Sequence, residues 1–182
     1  MVQKTKLSGL IAATFTPFDP GGRLQLDAVG PMVEALLADG VRGLYVCGST
    51  GEGVSLTGAE RRSVADAFVE AAAGRVPVIV QVGHNSLEEA RSLAAHAQQS
   101  GADIVSATCP SYFKITTVDA LIDSMSVVAA GAPELPFYYY HIPALTRSPI
   151  DMVSFMKHGR RKIPNLAGLK YTAPTLHEFQ QC

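Results

Sequence analysis

Short apolar, β-rich runs recur along this chain at Leu10 to Thr14, Gly43 to Cys47, Val76 to Val82, Asp103 to Thr108, Pro136 to Tyr140 and Leu166 to Lys170. Their starts fall about 30 residues apart, the length of one strand–helix–strand unit. That rhythm leaves few folds open. The intervening stretches carry helix signals. Thr57-Gly58-Ala59-Glu60 and Ser86-Leu87-Glu88-Glu89 have the Ser/Thr-x-x-Glu form, in which hydroxyl and carboxylate satisfy free amides at a helix start. Ser148-Pro149-Ile150-Asp151 puts a proline at an expected first helical position, where its missing N–H costs nothing. Val29, Val33, Leu36 and Leu37 share one face of an earlier helix.

Helices after every strand, with strands apolar nearly throughout, imply a parallel sheet covered by helices: a (β/α)8 barrel or a doubly wound sheet. No Gly-x-Gly-x-x-Gly turn follows the first strand, which disfavours a dinucleotide fold. Six strands are expected, and the last helix signal, Thr175-Leu176-His177-Glu178, runs into Cys182. A closed barrel needs eight strands and about 250 residues. The expectation is therefore an incomplete TIM barrel, about six of eight βα units, forming one partial barrel domain over residues 1–182. Its first and sixth strands would be open edges, which invite pairing with another chain.

At 47% hydrophobic residues the chain has material for one sizeable core. Fifteen Lys and Arg against 16 Asp and Glu give no reason to propose a nucleic acid or an anionic membrane as partner. Three cysteines without close spacing indicate neither a disulfide framework nor a zinc knuckle, and a reducing compartment fits them best. No apolar run reaches the ~18 residues that span a bilayer, so a cytoplasmic protein is expected.

In parallel βα folds, loops after the strands' C-terminal ends converge on one face, so strand ends are where chemistry is sought. After the second strand comes Gly48-Ser49-Thr50-Gly51-Glu52-Gly53, whose glycines allow close approach and whose N–H groups and hydroxyls suit a carboxylate. It lacks the Gly-Lys-Ser/Thr ending of a phosphate loop. The fifth strand end offers Tyr140 with His141, and the sixth offers a lone Lys170, then Thr172. Singly, each has an ordinary explanation: a turn, a packed tyrosine, a snorkelling lysine. Together on one face they suit Schiff-base chemistry on a 2-oxo acid. Lys170 attacks the ketone, Ser49 and Thr50 hold the neighbouring carboxylate, and Tyr140 relays the proton. A metal-dependent alternative needs several of His84, His96, His141, His158 and His177 to converge; none sits in a His-x-His or His-Glu-x-x-His pattern, and no metal is expected.

Gly48-Ser49-Thr50-Gly51-Glu52, Tyr140-His141-Ile142-Pro143 and Gly168-Leu169-Lys170 resemble, in this order, motifs of the dihydrodipicolinate synthase and N-acetylneuraminate lyase superfamily. Within it, Phe137 to Leu145 and the ending Phe179-Gln180-Gln181-Cys182 resemble the animal type of the lyase branch. The resemblance implies reversible cleavage of open-chain N-acetylneuraminate, a sialic acid, to N-acetylmannosamine and pyruvate by a cytosolic homotetramer without metal or cofactor. It implies Lys170 as the Schiff-base residue, Tyr140 as proton donor, Ser49 and Thr50 as carboxylate ligands and Thr172 as a substrate-binding residue. Tyr112, in Cys109-Pro110-Ser111-Tyr112-Phe113, would support the proton relay near a subunit contact. Leu145 stands where synthases usually carry an arginine for a second carboxylate; leucine cannot make that bidentate contact, which favours a sugar acid. Arg147 stands where relatives often have glycine. The alternatives are another pyruvate-dependent aldolase of the synthase kind, and an incomplete variant acting only by subunit association.

Overall fold

The structure, a computed structural model, describes residues 7–182. Six strands form one sheet: β1 (Ile11–Ala13), β2 (Gly43–Val46), β3 (Val78–Gln81), β4 (Ile104–Ala107), β5 (Phe137–His141) and β6 (Leu166–Tyr171). All neighbours are parallel and the spatial order equals the chain order. Crossovers run through α1 (Val29–Ala38), α2 (Gly58–Ala72), α3 (Leu87–Gln99), α4 (Val118–Ala129), a single turn α5 (Pro143–Thr146) and α6 (Met152–Gly159), and α7 (Leu176–Gln181) follows β6. This is the winding of six consecutive units of a (β/α)8 barrel, with β1 and β6 the sheet edges among the described residues.

Side chains alternate across β2 to β5, and both faces of these inner strands are buried. Leu44, Val46, Val78, Val80, Val105, Phe137 and Tyr139 point outward into the helix layer, where they meet Val33, Val64, Phe68, Leu121, Met125 and Phe155. Tyr45, Ile79, Ile104 and Tyr140 point inward and form a second cluster in the barrel interior with Ile11 and Tyr138. Val29 and Val33 are fully buried on α1, with Leu36 and Leu37 packed at the margin, as the helical spacing predicts.

One irregularity positions the interior. Phe137 pairs with Leu166, but Tyr138 pairs with Gly168, so Ala167 is an extra residue in β6. From there Tyr140 pairs with Lys170 and His141 with Tyr171. Gly168 is required by this arrangement, because a Cβ there would lie 2.6 Å from the Tyr138 ring.

The helix starts follow the sequence in part. Thr57 and Glu60 close a reciprocal capping box on α2. Ser86 accepts the Glu89 N–H on α3, but the Glu89 carboxylate turns to Arg62 at 3.2 Å instead of completing the box. Pro149 is not the first residue of α6. Asp151 caps that helix through the N–H groups of Val153 and Ser154, and the proline at a first helical position is Pro143 of α5. Thr175 precedes α7 without a side-chain cap; the Glu178 carboxylate is taken by the Met152 N–H at 2.9 Å and by the Tyr171 hydroxyl. No helix among the described residues is long and apolar enough to cross a membrane. Cys47, Cys109 and Cys182 are free thiols.

Candidate active site

The in-register pair on β5 and β6 forms the centre of the site. The Lys170 Nζ lies 3.4 Å from the centroid of the Tyr140 ring and 5.0 Å from that of Tyr45. Both rings attract a cation through their π faces. Tyr45 and Tyr140 meet edge to face at 5.7 Å, and the Tyr45 hydroxyl donates to Ser106 Oγ at 3.0 Å, tying β2 to β4. Burial drives the Tyr45 phenol far above its ordinary range, so Tyr45 stays a neutral donor. Lys170 itself borders an apolar cavity of about 220 Å³ that Ile11, Tyr45, Ile79 and Tyr138 help to line.

The loop after β2 is shaped by backbone demands. Cys47 and Glu52 adopt left-handed φ values of 56° and 54°, which reverse the chain twice within six residues. The Gly53 N–H donates to the Gly48 carbonyl, the Glu52 N–H to that of Ser49, and Thr16 Oγ1 to the Gly51 carbonyl at 2.6 Å. Ser49 and Thr50 stand exposed at the tip. A Cβ on Gly53 would lie 1.9 Å from the Cys47 carbonyl oxygen, a backbone atom that cannot swing away. Gly53→Ala is expected to destabilise the fold by about 3 kcal/mol or more, read as a lowered denaturant midpoint; an unchanged midpoint contradicts this packing of the loop.

A buried cation supports the same rim. Arg61 of α2, 2% exposed, donates to the carbonyls of Gly83 at 3.0 Å and Gln81 at 2.6 Å and to Gln81 Oε1 at 2.8 Å. Gln81 in turn donates to Thr108 Oγ1 at 3.1 Å, joining the ends of β3 and β4. Burial lowers the Arg61 pKa, against the opposing effect of the Cys47 and Glu89 charges, and burial pushes the Cys47 thiol up to about 11. Carbonyl dipoles thus hold a charge that has no close carboxylate in its hydrogen-bond set.

The remaining residues singled out from the sequence lie farther from this centre. Thr172, just beyond β6, donates both its N–H and its hydroxyl to the His141 carbonyl, at 3.1 and 2.9 Å. Leu145 is 62% exposed and shares with Ser49, Gln81, Thr108 and Thr146 a separate cavity of about 410 Å³. Tyr112 is 77% exposed and pairs edge-on with Phe113 at 5.0 Å, its segment held by Asn85 Oδ1. Arg147 closes α5 in a left-handed conformation, φ 54°, and points to no site residue through a hydrogen bond among the described residues. This explains why glycine suits the position. His141 faces outward between the Tyr139 and Tyr171 rings, and burial lowers its pKa against the pull of Glu178. His96 meets Asp66 at 2.8 Å on the α2–α3 surface, and His84 accepts the Ser86 N–H, so these histidines serve local structure.

Sequence reasoning missed Tyr45, Ser106 and Arg61. Tyr45 and Ser106 each put a hydroxyl at an inward position of an otherwise apolar strand, and that was the available signal.

A model of the dihydrodipicolinate synthetase family matches residues 6–182. The chain is 42% identical over 97% of its length to N-acetylneuraminate lyase of Xenopus tropicalis, and 43% identical over 98% to that of Homo sapiens. It spans 59% and 57% of those two relatives. Among solved structures, Proteus mirabilis N-acetylneuraminate lyase superposes with a TM-score of 0.95 at 39% identity, covering 98% of this chain and 60% of that one. Dihydrodipicolinate synthase from Aquifex aeolicus gives 0.87 at 32% identity, covering 96% and 58%. The chain belongs to the dihydrodipicolinate synthetase family, a family of class I pyruvate-dependent aldolases and lyases.

Proposed function

We propose that the protein acts as a Schiff-base lyase that reversibly cleaves N-acetylneuraminate to N-acetylmannosamine and pyruvate. The observation that supports it most is the amine of Lys170 lying 3.4 Å from the Tyr140 ring at two paired strand ends. Lys170 Nζ adds to the ketone of the open-chain acid and water leaves, giving an iminium. Tyr140 relays the proton lost by the hydroxyl on the far carbon of the bond to be cleaved, the carbon that becomes the aldehyde. That carbon–carbon electron pair moves to the iminium, and the sugar departs as an aldehyde. The resulting enamine is protonated and hydrolysed, which returns pyruvate and the free amine. Ser49 and Thr50 hold the carboxylate from the loop after β2, and Thr172 borders the bound ketone. Tyr112 supports the relay at a subunit contact of a homotetramer; its 77% exposure in the single chain is consistent with such a contact.

The exposed Leu145, apolar where a synthase needs a cation, weighs against a substrate with a second carboxylate. The identity to the lyase relatives weighs in the same direction. The test is pyruvate release from N-acetylneuraminate, alongside condensation of pyruvate with an aldehyde that carries a second carboxylate. Cleavage of the sugar acid, undiminished by EDTA, is expected. Faster condensation of the carboxylated aldehyde would overturn the substrate, and loss in EDTA restored by zinc would overturn the Schiff-base chemistry.

A further inference from the structure

Tyr45 stands between the amine, the phenol and the start of the carboxylate loop on which the proposed function rests. Its ring lies 5.0 Å from the Lys170 amine and 5.7 Å from the Tyr140 ring. On its other side it packs on Gly48, where a Cβ would come within 2.7 Å of the ring, so the Ser49–Thr50 loop starts directly against it. Its hydroxyl is pinned to Ser106, which is fully buried on β4. Tyr45 and Lys170 both line the apolar cavity bordered by Ile11, Ile79 and Tyr138, so loss of the ring would leave the lysine room to move there. A lysine has four rotatable bonds and gives up considerable freedom to sit in one place.

We infer that Tyr45, anchored by Ser106, is a positioning residue that fixes the Lys170 amine against Tyr140 and sets its distance from the carboxylate loop. It takes no part in the bond changes; it narrows the space open to the lysine side chain and keeps amine and loop in mutual register. This inference rests on the Schiff-base reading of Lys170. Misplacement of a reacting group by about 1 Å costs on the order of 10²-fold in rate. Loss of the ring therefore appears as a slower reaction at saturating substrate, not only as weaker binding.

The test is the rate of borohydride-trapped pyruvate adduct on Lys170 in the full chain, measured by intact mass across pyruvate concentrations. Tyr45→Leu is expected to lower the saturating trapping rate constant by about tenfold or more. Tyr45→Phe, which keeps the ring, restores it to within about threefold, and Ser106→Ala, which frees the anchor, lowers it about threefold. A merely structural role would reduce the fraction of chains that become trapped and leave the rate constant of the folded fraction unchanged. Wild-type rate constants in Tyr45→Leu and Ser106→Ala overturn the inference while leaving the Schiff base intact. If Tyr45→Leu does not fold, Ser106→Ala decides alone. Absence of any Lys170 adduct in the unmutated protein overturns both readings.

Discussion

Lys170→Ala, incubated with pyruvate and reduced with borohydride, is expected to gain no mass, whereas the unmutated chain gains one pyruvyl adduct that maps to the peptide carrying Lys170. A methyl group cannot replace a nucleophilic amine, so the loss is complete and not graded. The fold should survive, because the lysine stands partly exposed near a strand end and its contacts are with the faces of two rings. Such contacts contribute about 0.5–2 kcal/mol, a small change that circular dichroism and thermal unfolding can bound. An undiminished adduct in the variant would remove Lys170 from the mechanism and send the search to another amine.

Tyr140→Phe separates the two halves of the reaction. The phenyl ring preserves the 3.4 Å platform for the amine and the edge contact with Tyr45 at 5.7 Å, so pyruvate trapping on Lys170 should continue. Cleavage of N-acetylneuraminate needs a proton moved from a hydroxyl, which a phenyl ring cannot do. A positioned acid–base group is worth about 10²- to 10⁴-fold, and turnover is expected to fall in that range. The discriminating pair of measurements is trapping at saturating pyruvate and steady-state cleavage on the same preparation. Near-normal cleavage would move the relay to another group; loss of both would mean that the hydroxyl matters to the architecture instead.

The parallel order was legible because the inner strands β2 to β5 are buried on two faces. Runs such as Val76 to Val80 and Ile104 to Val105 read as apolar segments, and the helix signals between them fix the crossovers. The meeting of Lys170 and Tyr140 followed from the rule that strand ends in such sheets converge. Helix starts were legible only where one cap had no competitor. Thr57 had none, whereas Pro149 competed with Asp151, whose carboxylate reaches two amides and so begins the helix later. Arg61 was illegible because a cation on an alanine-rich helix ordinarily faces water; only the tertiary structure shows carbonyls arranged around it. Tyr45 showed its hydroxyl in the strand pattern but not its role, which lies in what stands on either side of it, Gly48 and Lys170, remote in sequence from one another.

The extra residue in β6 has a consequence for how the strand can change. Leu166 packs outward with Phe137, yet Lys170, four positions later, points inward. In an unbroken strand residues separated by an even number share a face, so no regular strand satisfies both. Ala167 converts even parity to odd midway along the strand. Before the extra residue the alternation is set by the outward Leu166; after it Leu169 and Tyr171 face the helix layer and Lys170 the barrel interior. Exchanges that tune the packing of Leu166 leave the aim of the lysine untouched, while a residue gained or lost between Gly168 and Lys170 would turn the amine out of the barrel and Tyr171 into it.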